Sequence, residues 1–379
     1  MNSIISNKKI EGDSLSFTIS DINVSFINAI RRTVISDIPI AVFKTFPYNE
    51  SDCIINKNTT RFNNEILKQR LSCIPIHIDI DDTPIKNLTL QVKYTNTTTD
   101  IQYLTTKQFN IFDESTQKLL PESLTSTIFP PNTISKQYID FVRLLPGYIN
   151  HNDPTSITGE EIDLQCKISI GTAKQNAMYN SVSMATFVNT KVNKEELDMH
   201  FQTYIKNITK NENLSEAEQD SAEQDWYALN SKRYFINNSF DCTFTSACVY
   251  DSNTLIIKAC NILIDKFKVL IDPTSHNPYN ISIKINKNNV FSDNCFDLIL
   301  YNESYTIGKI IEFLLFSECI DVNAPIASFV SFLKEHPHNS SSLIRIVFIN
   351  EITEEQLIEI LNEKFQHIIN ILEHIKNQI

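Results

Sequence analysis

The chain has 379 residues, of which 42% are hydrophobic, and a formal charge of −12. That length holds two or three cores, and the charge argues against a free-standing nucleic-acid binder, whose affinity comes from neutralising phosphates. No N-terminal apolar run reads as a secretion signal, and no stretch of about 18 apolar residues reads as a membrane span.

Residues 8–20 read as a strand, with the alternating run Leu15-Ser16-Phe17-Thr18-Ile19. A helix follows over 25–38. Ser25 is placed to accept an orphan backbone N–H at its start, and Pro39 pushes Ile38 out of helical geometry at its end. Phe26, Ile30 and Thr33/Val34 recur at spacings of three and four and make one apolar face. Arg31 and Arg32 are adjacent, about 100° apart around the helix, so both cannot face that seam. From about 39 to 180 the pattern is β-rich, as in Leu88-Thr89-Leu90-Gln91-Val92-Lys93-Tyr94. Glu65 and Arg70 lie near i,i+4 reach, either ordering a loop or standing as plain surface residues.

The helix-and-strand pattern resumes near Ser183. Asn211 to Asp225 is acidic, with no apolar face beyond Leu214 and Ala217, and reads as a solvated helix or loop. A helix beginning near Ser252 carries a stripe of Ile256, Ala259/Cys260, Leu263, Phe267 and Leu270. Asp272 to Pro278 is turn-rich and reads as a linker. Beyond it the opening unit returns in weaker form. Phe296-Asp297-Leu298-Ile299-Leu300 alternates, and Thr306 then heads a helix with Ile307, Ile311 and Leu314/Leu315 on one face. The final helix opens with a capping box, Thr353-Glu354-Glu355-Gln356. Its seam of Leu357, Leu361, Phe365, Ile368, Leu372 and Ile375 calls for a partner, with the 252–270 helix and the first module's sheet as candidates.

Only 5 glycines occur, and Gly171 and Gly308 are expected to serve close backbone approach or unusual dihedrals. Eight cysteines show no C-x-x-C pair and no zinc ladder, which reads as buried free thiols in a reducing compartment and a metal-free protein. Asp79-Ile80-Asp81-Asp82 places carboxylates at alternating positions, a pattern suited to Mg²⁺. The following Thr83-Pro84 signals a turn, and a solvated turn is the preferred reading. His336 and His338 flank Pro337 with no further ligand at metal spacing and read as a loop.

Ser25 through Ile40 resembles the first helix of the alpha-like subunits of multisubunit DNA-directed RNA polymerases, whose pattern reads roughly N-A-(I/L)-R-R-x-(L/V)-(I/L)-S-(E/D)-(I/V)-P. Asn58-Thr59-Thr60, Glu65 and Gln69-Arg70-Leu71-Ser72-Cys73-Ile74-Pro75-Ile76 are similar to the family's N-T-S, D-E and H-R-L-G-x-I-P-(L/I) at the same spacing. Gly171 to Val182 resembles G-x-G-K-x-H-A-K-W-S-P-V in a degraded form. Glu303 to Ile311, with Phe332-Leu333-Lys334-Glu335-His336-Pro337, resembles the small alpha-like partner, D-H-T-L-G-N-L-(L/I) and then Y-x-x-x-H-P. The four matches occur in the family's order, although Gln69 and Ser72 replace the usual His and Gly.

The resemblance implies an α+β protein with the alpha-like dimerisation fold present twice as an intramolecular pseudo-dimer, similar to fusions in large cytoplasmic DNA viruses. The implied domains are 1–38 with 183–272, a β-rich insertion at 39–182, a linker at 273–278, and a small alpha-like domain at 279–379. Phe26, Ile30 and Val34 would face Ile307, Ile311 and Leu315 across the seam. Arg31, Arg32, Glu65 and Arg70 would meet the large polymerase subunits, although the arginine pair also suits plain solvation of the helix back. The implied role is non-catalytic assembly of the two largest subunits, with small polymerase subunits as further partners. No cofactor, no membrane and little direct nucleic-acid contact are implied, and the location is the host cytoplasm and virion if the chain is viral. The rival expectations are an adaptor that keeps the fold outside the polymerase and a stand-alone metal-dependent enzyme using the Asp79 to Asp82 cluster.

Overall fold

The computed structural model describes residues 4–81, 84–150, 153–209, 216–247, 249–288 and 294–379. In chain order the elements are β1 (Ile5–Glu11), β2 (Ser14–Ser20), α1 (Val24–Ser36), β3 (Ile40–Phe43), β4 (Cys53–Asn58), α2 (Asn64–Ser72), β5 (Leu88–Thr95), β6 (Gln102–Thr105), β7 (Asn110–Asp113), β8 (Lys118–Leu119), α3 (Glu122–Ile128), β9 (Asp140–Leu144), β10 (Tyr148–Asn150) and β11 (Asp153–Thr158). They continue with β12 (Glu161–Gly171), β13 (Val182–Lys191), α4 (Lys194–Thr209), α5 (Glu216–Ala228), β14 (Phe235–Ser246), α6 (Ser252–Ile271), β15 (Ser282–Lys287), β16 (Cys295–Tyr301), α7 (Tyr305–Cys319), β17 (Ala327–Leu333), β18 (Ser341–Phe348) and α8 (Glu354–Gln378). The result is a mixed helix-and-sheet protein with several antiparallel sheets. Among the described residues no helix is long and apolar enough to cross a membrane.

The chain divides into two compact units. One comprises Met1–Thr33, Met184–Thr245 and Ile256–Ile379; the other comprises Val34–Ser183 and Ser246–Leu255. The first unit contains two four-stranded sheets, ordered β1-β2-β14-β13 and β15-β16-β18-β17. Each sheet is visited in the same sequence: two strands, a helix, two strands, a helix. The first pass carries α4 and α5 between its third and fourth strands.

The expected single strand over 8–20 is instead a hairpin. Gly12 has φ +59 and turns the chain between β1 and β2, a conformation that only glycine adopts without cost. Leu15, Phe17 and Ile19 on β2 are buried, and Phe17 stacks on Phe244 of β14 at 6.1 Å. The opposite face of the same strand pair carries a row of hydroxyl contacts, Ser14 with Thr245 (2.8 Å) and Ser20 with Ser239 (3.1 Å). Period-two alternation thus gives one apolar face and one hydrogen-bonded face.

Both expected helix caps are corrected. Asn23, not Ser25, caps α1: its side chain accepts the Ser25 N–H at 2.9 Å, and Ser25 Oγ is buried without a hydrogen-bond partner. Ser304 holds the N-cap position of α7 and makes no side-chain cap bond. The expected capping box at Thr353 and Gln356 is present, and all six predicted seam residues of α8 are buried.

Gly308 lies on α7, where an added Cβ would stand 2.0 Å from Phe332 Cε2 of β17. Close approach, not dihedral freedom, is what the position requires. Gly308→Ala should lower stability by about 1–3 kcal/mol through overpacking, read as a lower urea midpoint with unchanged slope. An unchanged midpoint would show that the ring has room to move.

The second unit is built on a sheet ordered β3-β12-β5-β7-β8, with β4 also paired to β12. Leu164, Cys166 and Ile168 alternate inward along β12. They join a core that includes Phe43, Leu67, Leu71, Leu90 and Phe109. Phe109 meets Phe129 and Phe141 edge-on at 5.4 and 5.6 Å. Gly171, at the end of β12, is again a close approach: a Cβ there would lie 2.8 Å from the Tyr179 ring.

Within the acidic stretch, residues 211–215 lie outside the described residues, and the part from 218 to 225 is a solvent-facing helix, as expected. The last turn of α5, just beyond it, carries Trp226, the chain's sole tryptophan, which is 1% exposed. Its indole packs against Phe201, Tyr204, Tyr227 and Tyr234. This aromatic cluster forms a satellite core with α4.

Candidate functional site

Within the first unit, α1 and α7 meet. The Phe26 ring approaches Phe313 edge-on at 6.4 Å, and Arg32 Nε donates to Thr306 Oγ1 at 2.9 Å. Phe26, Ile30, Ile307, Ile311 and Leu315 are all buried. Phe313, which receives Phe26, lies outside the expected stripe. Val34 is buried as well but belongs to the second unit.

The two passes of the repeated topology are joined elsewhere as well. Phe267 of α6 and Phe365 of α8 have ring centroids 5.7 Å apart. Gln378, at the end of α8, accepts the backbone N–H groups of Ile4 and Ile5 at 2.9 and 3.1 Å, at the start of the β1 edge. Lys266 of α6 pairs with Glu303 at 2.7 Å, and the two side chains are 3% and 6% exposed. Lys266 also lies over the Tyr279 ring, 5.5 Å from its centroid. Asp272, at the start of the turn-rich segment, accepts from the Thr274 N–H and hydroxyl at 3.0 and 2.6 Å and so holds a turn there.

Beside the α1–α7 contact lies a groove of about 580 Å³ whose lining includes Val24, Phe187, Phe313, Phe316 and Val330. Val24 and Phe316 are nearly half exposed. Lys309 and Glu312 form an ion pair on this lining.

The arginine pair splits between two tasks. Arg31 Nε and Nη2 donate to Asn28 Oδ1 at 3.2 and 3.0 Å, along its own helix. Arg32 is exposed and reaches Thr306, so it serves the contact between the two passes. Sequence spacing cannot anticipate that contact.

Glu65 and Arg70 stand in the second unit. Asn63 caps α2 by accepting the Ile66 N–H, and Glu65 stands exposed in the first turn. Arg70 donates to the Phe141 and Asp140 carbonyls at 2.7 and 3.0 Å. Its guanidinium therefore fastens α2 to β9. The carbonyls outbid a helix-surface pairing with Glu65 because they are fixed acceptors already in place.

Asp79 and Asp81 lie in a turn where Asp79 Oδ1 accepts the Asp81 N–H at 3.1 Å; Asp82 lies outside the described residues. Among the described residues no three His, Cys, Asp or Glu side chains gather at metal-binding distance. His336 Nδ1 accepts the His338 N–H in the loop before β18. Of the cysteines, Cys248 lies outside the described residues and the other seven are unpaired. Cys73 departs from the expected burial and is exposed.

Sequence reasoning missed the Lys266–Glu303 pair, which joins two positions 37 residues apart with no periodic signal between them. It also missed Asp297 and Arg345, which face each other across β16 and β18. The Arg345 guanidinium donates to both carboxylate oxygens at 2.7 and 2.9 Å. That pairing holds the Asp297 carboxyl below its ordinary range. In comparisons with known proteins, no family model and no curated protein matches the chain.

Proposed function

We propose that this chain is a non-catalytic assembly subunit of a multisubunit DNA-directed RNA polymerase, with large and small alpha-like subunits joined in one polypeptide. In this reading the two sheet-and-helix passes of the first unit are the two dimerisation folds, and the second unit is the β-rich insertion. The observation that carries it is the identical strand order of the two sheets, combined with the meeting of α1 and α7 at Phe26–Phe313 and Arg32–Thr306. Two of the four sequence resemblances fall on those two helices. The partners are the two largest polymerase subunits and small polymerase subunits. The acidic charge suits a protein scaffold better than a phosphate-neutralising surface. The proposed location is the host cytoplasm and virion of a large DNA virus.

Affinity purification from native material with mass spectrometry tests this. Co-elution with two very large polymerase subunits is expected. Recovery with other proteins alone would favour an adaptor, and an intrinsic hydrolytic activity without them would favour an enzyme.

A second measurement addresses the arginines. Arg31→Ala with Arg32→Ala removes surface contacts, those of Arg31 with Asn28 on its own helix and that of Arg32 with Thr306, so the isolated chain should lose no more than about 1 kcal/mol. Capture of the large subunits should weaken by roughly thirtyfold, the equivalent of about 2 kcal/mol for an anchored interface arginine. Normal capture would reduce the pair to its contacts with Asn28 and Thr306.

A further inference from the structure

Two cysteines stand opposite each other in the second unit. Cys53 opens β4, and its register partner on the central strand β12 is Cys166. Both face the same core, at 3% and 1% exposure, and both are free thiols. Residues directly opposite on antiparallel strands have Cβ atoms about 4.5–5.5 Å apart, whereas a disulfide needs about 3.5–4.5 Å. Closure therefore asks the strands to approach by roughly 1 Å or less. A bond formed under that strain is readily reduced.

We propose that Cys53 and Cys166 are a reversible oxidation site, closing to a cross-strand disulfide in response to hydrogen peroxide.

The two thiols differ in a way that orders the reaction. The neighbouring Cys166 side chain holds Cys53 below the usual thiol range, with help from the Lys68 charge and against the opposing effect of burial, while the Cys166 thiol itself donates to the Lys167 carbonyl at 3.5 Å. Pairing with Cys53, followed by burial, pushes Cys166 up. Lys68, whose Nζ donates to Ser51 Oγ beside Cys53, favours the thiolate there, which makes Cys53 the nucleophile and Cys166 the resolving thiol. The Cys53 thiolate attacks one peroxide oxygen, the O–O bond breaks, and hydroxide leaves, giving a sulfenic acid. Cys166 then attacks the Cys53 sulfur, the S–O bond breaks, and its thiol proton leaves with the departing oxygen as water. In sum, two thiols and one peroxide give one disulfide and two waters. At the start of β4, Ser51 Oγ both accepts from Cys53 N–H at 3.3 Å and receives Lys68 Nζ at 3.2 Å.

The test uses the full chain carrying Cys73→Ser, which removes the one exposed thiol among the described residues. After peroxide treatment, unfolding and alkylation, the Cys53 and Cys166 peptides should be found linked, with each linked chain about 2 Da lighter than the reduced chain. Dithiothreitol should restore both thiols. In Cys166→Ser the reaction should stop at a Cys53 sulfenic acid that dimedone traps. Full alkylation of both thiols after treatment, or a Cys53 sulfinic acid without the linked peptide, overturns the proposal. The linked peptide in the Cys73→Ser chain decides the matter even where Cys166→Ser does not fold.

Discussion

Glu303→Gln or Lys266→Met should each destabilise the protein by about 3–5 kcal/mol, because each leaves a buried charge without its partner. The pair lies at 2.7 Å with 3% and 6% exposure, too deep for water to replace the missing group. Glu303 is fixed further through its backbone carbonyl, which accepts from buried Ser342 Oγ at 3.0 Å. The double change Lys266→Met, Glu303→Leu removes both charges and should recover most of the loss, since apolar replacement of a buried pair is often neutral or better. Equilibrium denaturation followed by Trp226 fluorescence reads the first unit directly, because that indole is buried in it. Single changes costing less than about 1 kcal/mol would show that water reaches the pair.

Phe365→Ala should cost about 3–5 kcal/mol, as should Phe267→Ala. Both rings are fully buried, with centroids 5.7 Å apart. Each truncation loses transfer free energy and leaves a cavity between α6 and α8. The double truncation should fall short of the sum by about 0.5–1.5 kcal/mol, the worth of the aromatic contact itself. Additivity within about 0.3 kcal/mol would mean that the rings pack on other neighbours and not on each other.

The amphipathic helices were readable because their information is local. The stripes of α6 and α8 and the box at Thr353 follow from a 3.6-residue period and one hydrogen bond between near neighbours, and α8 turns inward as its spacing requires. The scarcity of glycine pointed to Gly171 and Gly308, and both stand where a Cβ would meet an aromatic ring. The opening strand failed because the Gly12 turn is one residue inside a run that otherwise reads as continuous. The burial of Trp226 went unread because α5 has a polar pattern and is anchored through one end alone.

Sequence by itself determined which helices have an apolar side, where the repeated strand–helix unit lies, and that the chain is acidic and poor in glycine. Those properties depend on residue type and spacing along the backbone. Tertiary structure alone decided that both sheets share one strand order, that Phe26 finds Phe313, that Arg70 fastens α2 to β9, that Lys266 meets Glu303, and that Cys53 stands opposite Cys166. Each of these joins residues far apart in sequence. Their pairing is set by which faces remain to be covered once the local elements exist, and a pattern within one element carries no record of what will cover it.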